Sequence, residues 1–252
     1  TCTNCRGARE KGGRDIRRRS AILVNDDLLI DFGPDVFAGM QAAGADATAV
    51  TTLLITHSHA DHLAPENLEY RRPGFIKDTQ LPPLTVYGPQ DALDAILGVM
   101  APHLAEARLR LVPLSQDDTV SSGRYTVRAL PAAHGDGQRE CLLYLVECQG
   151  RRFLYGTDTG PLPEAAWSIM ESHLPQLAIL DGTMGTGTGS GHMGIAQVVA
   201  TARRLREMAS AGLPVIAHHF SHHNNPSYQE LAGIYSRHEI GVAYDGMVTE
   251  MP

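Results

Sequence analysis

The strongest constraint on this chain is a cluster of three histidines and one aspartate that directly follows a short apolar run. The run Leu-Leu-Ile at 53–55 is rich in strand formers and too short for a helix, so it predicts a buried strand. His57, His59, Asp61 and His62 follow it closely. Imidazole and carboxylate groups are ligands of Zn²⁺ and similar cations, and four of them exceed what one tetrahedral ion would use from a single loop. The pattern therefore predicts a loop that carries ligands for two metal ions.

A polar surface loop is the alternative interpretation of the same four residues. The histidines would then face solvent, and Asp61 would cap a helix that starts near Pro65. One isolated histidine would favour that interpretation. The His-x-His-x-Asp-His spacing at a strand end favours the metal site.

The length and composition favour one large globular domain over residues 1–252. An apolar fraction of 43% is enough for a substantial core. Predicted strands alternate with helices and no linker or repeat divides the chain, which is typical of an α/β fold with helices covering the sheets. The chain starts with Thr1 instead of methionine, so we expect further residues before it.

The net charge argues against a nucleic-acid partner. Lys and Arg total 21 against 28 Asp and Glu, giving a formal charge of -7, so no global basic field attracts phosphates. The run Arg17, Arg18 and Arg19 either binds a phosphate or forms a solvated face. No stretch approaches the roughly 20 apolar residues of a membrane span and no signal sequence is visible, so we expect a cytoplasmic protein without a membrane partner.

Further residues that can bind metal or transfer protons follow predicted strands or loops. They are His134, Asp158, Asp181, His192 and His219. Strand ends in an α/β protein meet at one edge of the sheet, so we expect these side chains to converge. Asp181 is expected to orient a ligand histidine rather than to bind metal. No role is assigned to His218 or His223.

Three segments carry predictions of local structure. Residues 6–19 are rich in Arg, Gly and Lys without apolar periodicity, which predicts a solvated loop. The glycine-rich residues 185–191 lack the context and the lysine of a phosphate-binding loop, and we interpret them as a mobile loop. The last strand is predicted around residues 242–244.

Over nearly the whole chain, these ordered motifs resemble those of the metallo-β-lactamase superfamily. The resemblance implies a four-layer αβ/βα sandwich in which two αβ halves pack their sheets together, with helices outside and a dinuclear metal site at one edge. It implies a first metal on His57, His59 and His134, a second metal on Asp61, His62 and His219, and Asp158 as the bridge between them.

Within the superfamily, the chain is most similar to the phosphodiesterase branch. Asp158 fills the bridging position, whereas the antibiotic-hydrolysing members generally have a cysteine there. The N-terminal Cys-Thr-Asn-Cys, the segment from His219 to His222 and the ending Tyr-Asp-Gly-Met at 244–247 resemble the phosphoribosyl cyclic phosphodiesterase family of phosphonate degradation.

The four cysteines are Cys2, Cys5, Cys141 and Cys148. In a chain of this length they do not indicate the disulfide framework that is typical of small secreted domains. By itself the first pair fits a metal clip, a redox pair or an unliganded terminus. The phosphoribosyl family binds a structural zinc through a Cys-x-Cys-x-x-Cys cluster and a histidine three positions after a catalytic ligand. The resemblance therefore implies a structural zinc on Cys2, Cys5 and His222, with the first cysteine falling just before Thr1.

The resemblance implies a metal-dependent hydrolase. We expect a phosphodiesterase that cleaves a small cyclic phosphate or nucleotide-like diester with a hydroxide bridging two zinc ions, with manganese or iron as alternatives. Asp61 would ligate metal and orient the nucleophile. His192 matches a histidine proposed as general acid in related phosphodiesterases, and a helix cap is its alternative role. A small phosphodiester is the expected partner, and a homodimer is left open.

Two other functions fit the same resemblance. A tRNA 3′-processing endonuclease is disfavoured by the acidic balance and by the lack of a long Gly/Pro-rich insertion for gripping tRNA. A non-catalytic chaperone or carrier, similar to the relative in pyrroloquinoline-quinone biosynthesis, is disfavoured because that relative tends to lose ligands and this chain keeps all seven.

Overall fold

The computed structural model describes residues 2–77, 81–135, 137, 139–209, 212–222, 224 and 226–251. The chain divides into two compact units, each built around one sheet. The five-stranded unit comprises Arg18–Gln116 and Gly137–Leu142, and the seven-stranded unit comprises Thr1–Arg17, Asp117–Asp136 and Leu143–Pro252. The single domain over residues 1–252 stays a prediction.

The N-terminal segment is helical, so the predicted solvated loop at residues 6–19 is wrong for its first half. Helix α1 spans Thr3–Lys11, and a 3₁₀ turn at Gly13–Asp15 follows it. No residue of α1 is buried, so no apolar stripe marks the helix in the sequence. The Cys5 N–H donates to Cys2 Sγ (3.3 Å) and caps the first turn. Local capping, not periodicity, therefore defines this helix.

The sheet of the five-stranded unit places the ends of its parallel strands at one edge. Its strands, in spatial order, are β1 (Ile22–Val24), β2 (Leu28–Ile30), β3 (Thr52–Leu54), β4 (Leu84–Gly88) and β5 (Leu109–Pro113). β1 and β2 form an antiparallel hairpin, and the remaining neighbours are parallel. Parallel neighbours run in one direction, so the residues after β2 and β3 lie at the same edge.

Two α-helices cover the crossovers of this unit. They are α2 (Val36–Ala43) and α3 (Gln90–Met100), and shorter 3₁₀ helices lie at Ala47–Ala49, Pro65–Arg71 and Ala101–His103. α3 buries Leu93, Ile96 and Met100 at helical spacing. These side chains share one core with Leu53 of β3 and Val86 of β4. Strand β3, which precedes residues 57–62, is thus packed against α3 and β4 in the core of this unit.

The second sheet also aligns several strand ends. Its strands are β6 (Thr119–Ser122), β7 (Tyr125–Pro131), β8 (Leu142–Cys148), β9 (Arg151–Gly156), β10 (Leu177–Asp181), β11 (Val215–His218) and β12 (Ile240–Val242), in the spatial order β12-β11-β10-β9-β8-β7-β6. β9 to β12 are parallel, whereas β6 with β7 and β8 with β9 are antiparallel. Asp158, Asp181 and His219 therefore lie at one edge, at the ends of β9, β10 and β11.

Among the described residues, the helices of this unit besides α1 are α4 (Glu164–Ser172), α5 (Ile195–Ala209) and α6 (Tyr228–Ser236). α5 buries Val198, Ala202 and Leu205, one turn apart, in the main core of the unit. α6 starts with a capping box in which Ser227 and Glu230 bond each other's backbone N–H. Among the described residues, no helix combines the length and apolar character needed to cross a bilayer.

Two strands differ from the sequence predictions. β6 was not predicted, because Thr-Val-Ser-Ser at 119–122 is mostly polar and lies at the sheet edge. The last strand is Ile240–Val242 rather than 242–244. Ile240 and Val242 are buried and Gly241 is exposed between them, which is the alternation of a strand with one covered face.

Candidate metal centre

The four predicted ligands of the five-stranded unit converge directly after β3. His57 Nε2 lies 2.8 Å from His59 Nδ1, and the ring centroids of His57 and His62 are 4.4 Å apart. His62 Nε2 lies 3.6 Å from Asp61 Oδ2. His57 and His62 are completely buried, which contradicts the surface-loop interpretation for both. This arrangement is the one expected of metal ligands.

Backbone contacts fix the shape of the metal loop, residues 57–62. The His62 N–H donates to the His59 carbonyl (2.9 Å), and the Phe32 N–H donates to the His62 carbonyl (2.7 Å). Gly33 packs so closely on the loop that an added Cβ would overlap the Asp61 carbonyl oxygen. Glycine at position 33 is therefore required for the observed position of Asp61.

A serine between two ligands also fixes the metal loop. Ser58 Oγ donates a hydrogen bond to Asp91 Oδ2 (2.5 Å) in the first turn of α3. The bond crosses from the loop to a helix that is packed in the core.

Asp31 orients two of the ligand histidines, a role that the sequence analysis missed. Its Oδ2 lies 2.7 Å from His62 Nδ1, and its Oδ1 accepts from the N–H (2.9 Å) and the hydroxyl (2.8 Å) of Thr56. Thr56 Oγ1 lies 2.9 Å from His57 Nδ1. A carboxylate only accepts, so His62 donates from Nδ1 and presents the lone pair of Nε2. One signal could have predicted this role: Asp31 comes immediately after β2, at the sheet edge where the metal loop starts.

The three predicted ligands of the seven-stranded unit meet at Asp158. Its Oδ2 lies 3.5 Å from His134 Nε2, and its Oδ1 lies 3.0 Å from His219 Nε2. Asp158 (φ 55°) and His219 (φ 57°) adopt left-handed backbone conformations, which cost free energy for residues other than glycine. Such strain is typical of functional sites. Asp158 therefore offers one carboxylate oxygen to each of two histidines.

His192 lies beside this group and is held by Asp181. His192 Nδ1 is 3.0 Å from Asp181 Oδ2 and 3.9 Å from Asp158 Oδ1. Its ring stacks nearly parallel to that of His219, with 6.0 Å between centroids. Burial by itself would lower the pKa of His192, but the hydrogen bond to Asp181 and the nearby carboxylate charges raise that pKa above its usual value.

Asp181 contacts histidines in two ways. It bonds His192 directly and reaches the predicted ligand His219 through Thr183, whose Oγ1 lies 2.7 Å from His219 Nδ1. The backbone N–H groups of Thr183 (2.9 Å) and Met193 (3.1 Å) also donate to Asp181 Oδ1. Asp181 also forms, with Asp158, His192 and His219, one of the groups whose ligand atoms lie close enough together to hold a metal ion. Its expected role of orienting a histidine instead of binding metal stays a prediction.

The proposed structural-zinc residues also lie together. Cys2 Sγ and Cys5 Sγ are each 3.3 Å from His222 Nδ1, and Asn4 Nδ2 donates to the His222 carbonyl (2.8 Å). All three side chains can place one ligand atom within 4.8 Å of the others. Thiolate and imidazole form the donor set of structural zinc sites. Helix α1 is thereby attached to the loop that follows His219.

The arginines at 17 and 19 are engaged with the protein itself. Arg17 donates to the carbonyl oxygens of Ser221 (3.4 Å) and Pro226 (2.9 Å) in the seven-stranded unit. Arg19 forms an ion pair with Asp35 (2.8 Å) in the five-stranded unit. Of the histidines without an assigned role, His218 lies at the end of β11, and His223 lies outside the described residues.

The glycine-rich residues 185–191 form hydrogen bonds with their surroundings, and the mobility of this loop stays a prediction. The Gly187 N–H donates to the Met184 carbonyl (2.8 Å), and Gln197 Nε2 donates to the Gly189 carbonyl (3.0 Å). A Cβ added at Gly194 would overlap the Gly187 carbonyl oxygen. Close packing explains the glycines, and the loop positions His192 at its end.

Each of the two α/β units thus carries histidines and aspartates that could hold a metal ion at its strand ends. The family model of the beta-lactamase superfamily domain matches residues 27–219, more than half of the chain. The chain therefore belongs to the beta-lactamase superfamily.

Curated relatives match parts of the chain. Ribonuclease Z from Clostridium kluyveri is 27% identical over 147 residues, which cover 54% of this chain and 45% of that protein. Ribonuclease Z from Bradyrhizobium sp. (strain ORS 278) is 25% identical over 118 residues, covering 43% and 37%. The chain thus spans about half of the length of these relatives or less.

Solved structures confirm the predicted metallo-β-lactamase fold. A diphosphatase from the PhnP family superimposes with a TM-score of 0.72 at 19% identity, covering 100% of this chain and 91% of that one. Human tRNase Z, short form, superimposes with a TM-score of 0.66 at 18% identity, covering 92% and 91%.

This fold implies divalent metal ions, and the donor sets fit them. The four candidate ligands of the five-stranded unit are three imidazoles and one carboxylate, and those of the seven-stranded unit are two imidazoles and one carboxylate. Imidazole with carboxylate suits zinc, manganese and iron. In both units, hydrogen bonds to Nδ1 of several histidines leave Nε2 to face a metal.

Proposed function

We propose that the protein is a dinuclear metal-dependent phosphodiesterase. The family resemblance supplies the ligand assignment. The first metal is assigned to His57, His59 and His134, the second to Asp61, His62 and His219, and the bridge to Asp158.

The position of Asp158 carries the proposal. Its two carboxylate oxygens face different histidines, His134 at 3.5 Å and His219 at 3.0 Å. A carboxylate that binds one metal ion does not need its two oxygens beside different histidines, whereas a carboxylate that bridges two metal ions does. A pair of ions also explains why the chain carries seven candidate ligands.

Two divalent ions held there would supply a nucleophile at neutral pH and would neutralise charge on the phosphoryl and departing oxygens. The protein's own residues would then position the attacking water and protonate the leaving oxygen. Asp61 lies beside His62 (3.6 Å) and has a partly exposed carboxylate, so it can accept a hydrogen bond from the attacking water.

His192 is assigned as the proton donor to the leaving oxygen. Its Nδ1 is held by Asp181 (3.0 Å), so Nε2 is free to carry the transferred proton. The hydrogen bond to Asp181 raises the pKa of His192, which is the direction that suits a proton donor. A helix cap, the alternative role, would not need a carboxylate behind the imidazole.

The test is hydrolysis of bis(p-nitrophenyl) phosphate and a panel of small cyclic phosphates and nucleotide-like diesters by metal-loaded protein. Asp61→Ala and Asp158→Asn should abolish turnover. Asp26→Asn, at an exposed turn residue, is the matched control and should match the wild type. If the wild type is no faster than Asp158→Asn on every diester, the proposal is wrong.

The role of His192 has a separate test. His192→Ala should lose about 10²–10⁴-fold on diesters with poor leaving groups. It should lose much less with p-nitrophenolate, which departs without a proton. Equal losses on both substrate types would contradict the assignment as proton donor.

RNA 3′-end processing is the second candidate, and one observation favours it. Both curated relatives described above are named ribonuclease Z. The discriminating measurement offers the metal-loaded protein a tRNA precursor with a 3′ trailer beside the small diesters. Preferential cleavage of the precursor, with affinity that falls as salt rises, would select this candidate over a small substrate.

A further inference from the structure

Thr183 contacts three groups at once in the seven-stranded unit. Its Oγ1 lies 2.7 Å from His219 Nδ1, 2.9 Å from the His219 carbonyl oxygen and 3.2 Å from Asp181 Oδ2. The residue is only 8% exposed. A hydroxyl in this position is shared between a carboxylate and both the ring and the backbone of a candidate metal ligand.

The hydrogen of the hydroxyl decides the tautomer of His219. Thr183 Oγ1 carries one hydrogen, while the carbonyl oxygen and the Asp181 carboxylate only accept. Either acceptor can take that hydrogen, and a charged acceptor is the stronger of the two. Donation to Asp181 leaves Oγ1 to accept from His219 Nδ1, whereas donation to His219 Nδ1 leaves Nε2–H to bond Asp158 Oδ1, 3.0 Å away. Only the first arrangement presents the lone pair of Nε2 to a metal.

The same residue pins the backbone of His219. His219 has a φ of 57°, which is costly for this residue type. Around it, the Gly182 N–H donates to the His218 carbonyl (2.8 Å), and Ser221 Oγ donates to the Thr183 carbonyl (3.1 Å). Residues 182–183 thus form several hydrogen bonds with residues 218–221. The Thr183 hydroxyl contacts His219, which is the residue with the strained backbone.

One carboxylate oxygen connects this contact to the proton donor. Asp181 Oδ2 lies 3.2 Å from Thr183 Oγ1 and 3.0 Å from His192 Nδ1. Movement or loss of the threonine hydroxyl therefore changes the environment of the oxygen that holds His192.

The five-stranded unit contains the same arrangement. There, Asp31 contacts His62 directly and reaches His57 through the hydroxyl of Thr56 (2.8 Å and 2.9 Å). Each unit thus uses one buried aspartate and one threonine to hold two imidazoles. A threonine that only closed a turn would not be expected to recur with this geometry.

We propose that Thr183 is a positioning residue, whose hydroxyl sets the tautomer and direction of His219 and joins it to the carboxylate that holds His192. The proposal rests on the proposed function in one respect, namely that His219 is a metal ligand. Thr183 itself touches neither substrate nor metal.

The test compares Thr183→Val, which keeps the shape and removes the hydroxyl, with Thr183→Ser, which keeps the hydroxyl. Long-range ¹H–¹⁵N correlation spectra of histidine-labelled, metal-free protein report the tautomer, and His219→Gln assigns the signal. The wild type and Thr183→Ser should show the same tautomer of His219. Thr183→Val should show a mixture, and its zinc affinity, measured by chelator competition, should fall about 10–100-fold.

Two further variants separate positioning from stability. Thr183→Ala should give the same spectrum as Thr183→Val and replaces it if the valine does not fold. Thr201→Val removes a buried hydroxyl that bonds Met193 Sδ (3.5 Å), and it should leave the His219 signal and the zinc affinity unchanged.

The outcomes are distinguishable. If Thr183→Val and Thr183→Ala keep the wild-type tautomer and the wild-type zinc affinity, the proposal is wrong and Thr183 only closes the turn after β10. If the spectra and affinities change as expected but the wild type cleaves no diester, the proposed function fails and the positioning role stands.

Discussion

The Asp31 carboxylate and the His62 imidazole form a completely buried pair, with Oδ2 2.7 Å from Nδ1. A buried carboxylate is costly unless donors surround it, and Asp31 also receives the N–H and the hydroxyl of Thr56. The pair therefore serves a purpose that outweighs its desolvation, which we take to be orientation of Nε2 toward a metal.

Asp31→Asn keeps the shape of this side chain and removes its charge. We expect metal affinity to fall about 10–100-fold, because partners that orient ligands typically contribute that much. Chelator competition measures the change, and Asp26→Asn in the exposed turn is the control. An affinity within about twofold of the wild type would contradict the role of Asp31, given the usual size of such effects.

The close packing of Gly33 on Asp61 gives a second prediction. Gly33→Ala forces its Cβ against the Asp61 carbonyl oxygen, and we expect a loss of about 1–3 kcal/mol in the free energy of unfolding, as for other overpacked sites. Gly39→Ala in α2 meets nothing within 4 Å and should stabilise by about 0.5–1 kcal/mol. Denaturant unfolding of both variants measures these changes. If the free energy of unfolding changed in the same direction in both variants, the prediction would be wrong.

The bond between Ser58 and Asp91 predicts coupling between the metal loop and α3. In a double-mutant cycle of Ser58→Ala and Asp91→Asn, we expect the metal-binding free energies to deviate from additivity by about 0.5–3 kcal/mol. Gln90 and Asp94 form an exposed pair on α3 (2.8 Å), and their cycle should be additive for metal binding. Additive losses at Ser58 and Asp91 would show that the bond does not fix the loop.

The N-terminal cysteines give a prediction that depends on pH. The Cys5 N–H, followed by the His222 imidazole, lowers the pKa of the Cys2 thiol to about 6. The hydrogen bond with Cys2 raises the pKa of the Cys5 thiol. The thiolate is the reactive form, so in metal-free protein iodoacetamide should modify Cys2 before Cys5.

The rate at Cys2 should be nearly constant above pH 7 and should fall as the pH drops through about 6. Mass spectrometry of the alkylated peptide measures it. Zinc should protect both cysteines, and His222→Gln should slow the reaction by raising the pKa of Cys2. Equal rates at both cysteines would contradict the lowered pKa of Cys2. A lack of protection by zinc would argue against the metal clip.

The ligand-bearing segments could be predicted because their signals are local. His57 to His62 lie within six positions after an apolar run, and Asp158 and His219 each follow a predicted strand. The helical spacing of Leu93, Ile96 and Met100 in α3 is a local signal of the same kind. Helix α1 and strand β6 were missed because neither has an apolar period: one buries no residue and the other is a polar edge strand.

The residues that hold the ligands could not be predicted in the same way. Asp31 lies 31 positions before His62, and Thr183 lies 36 positions before His219. In the sequence, each is an ordinary polar residue near a strand end. Their partners depend on which strands become neighbours.

The sequence by itself determined the donor types and their positions after strands, because strand formers and ligand chemistry are properties of neighbouring residues. Only the tertiary structure decided which carboxylate faces which imidazole. The parallel pairing of β2 with β3, in which the Asp31 N–H bonds the Leu54 carbonyl (2.8 Å), brings Asp31 beside the metal loop. The pairing of β10 with β11 does the same for Thr183 and His219. Register between distant segments, which no local pattern encodes, thus sets the hydrogen-bond partners of the candidate ligands.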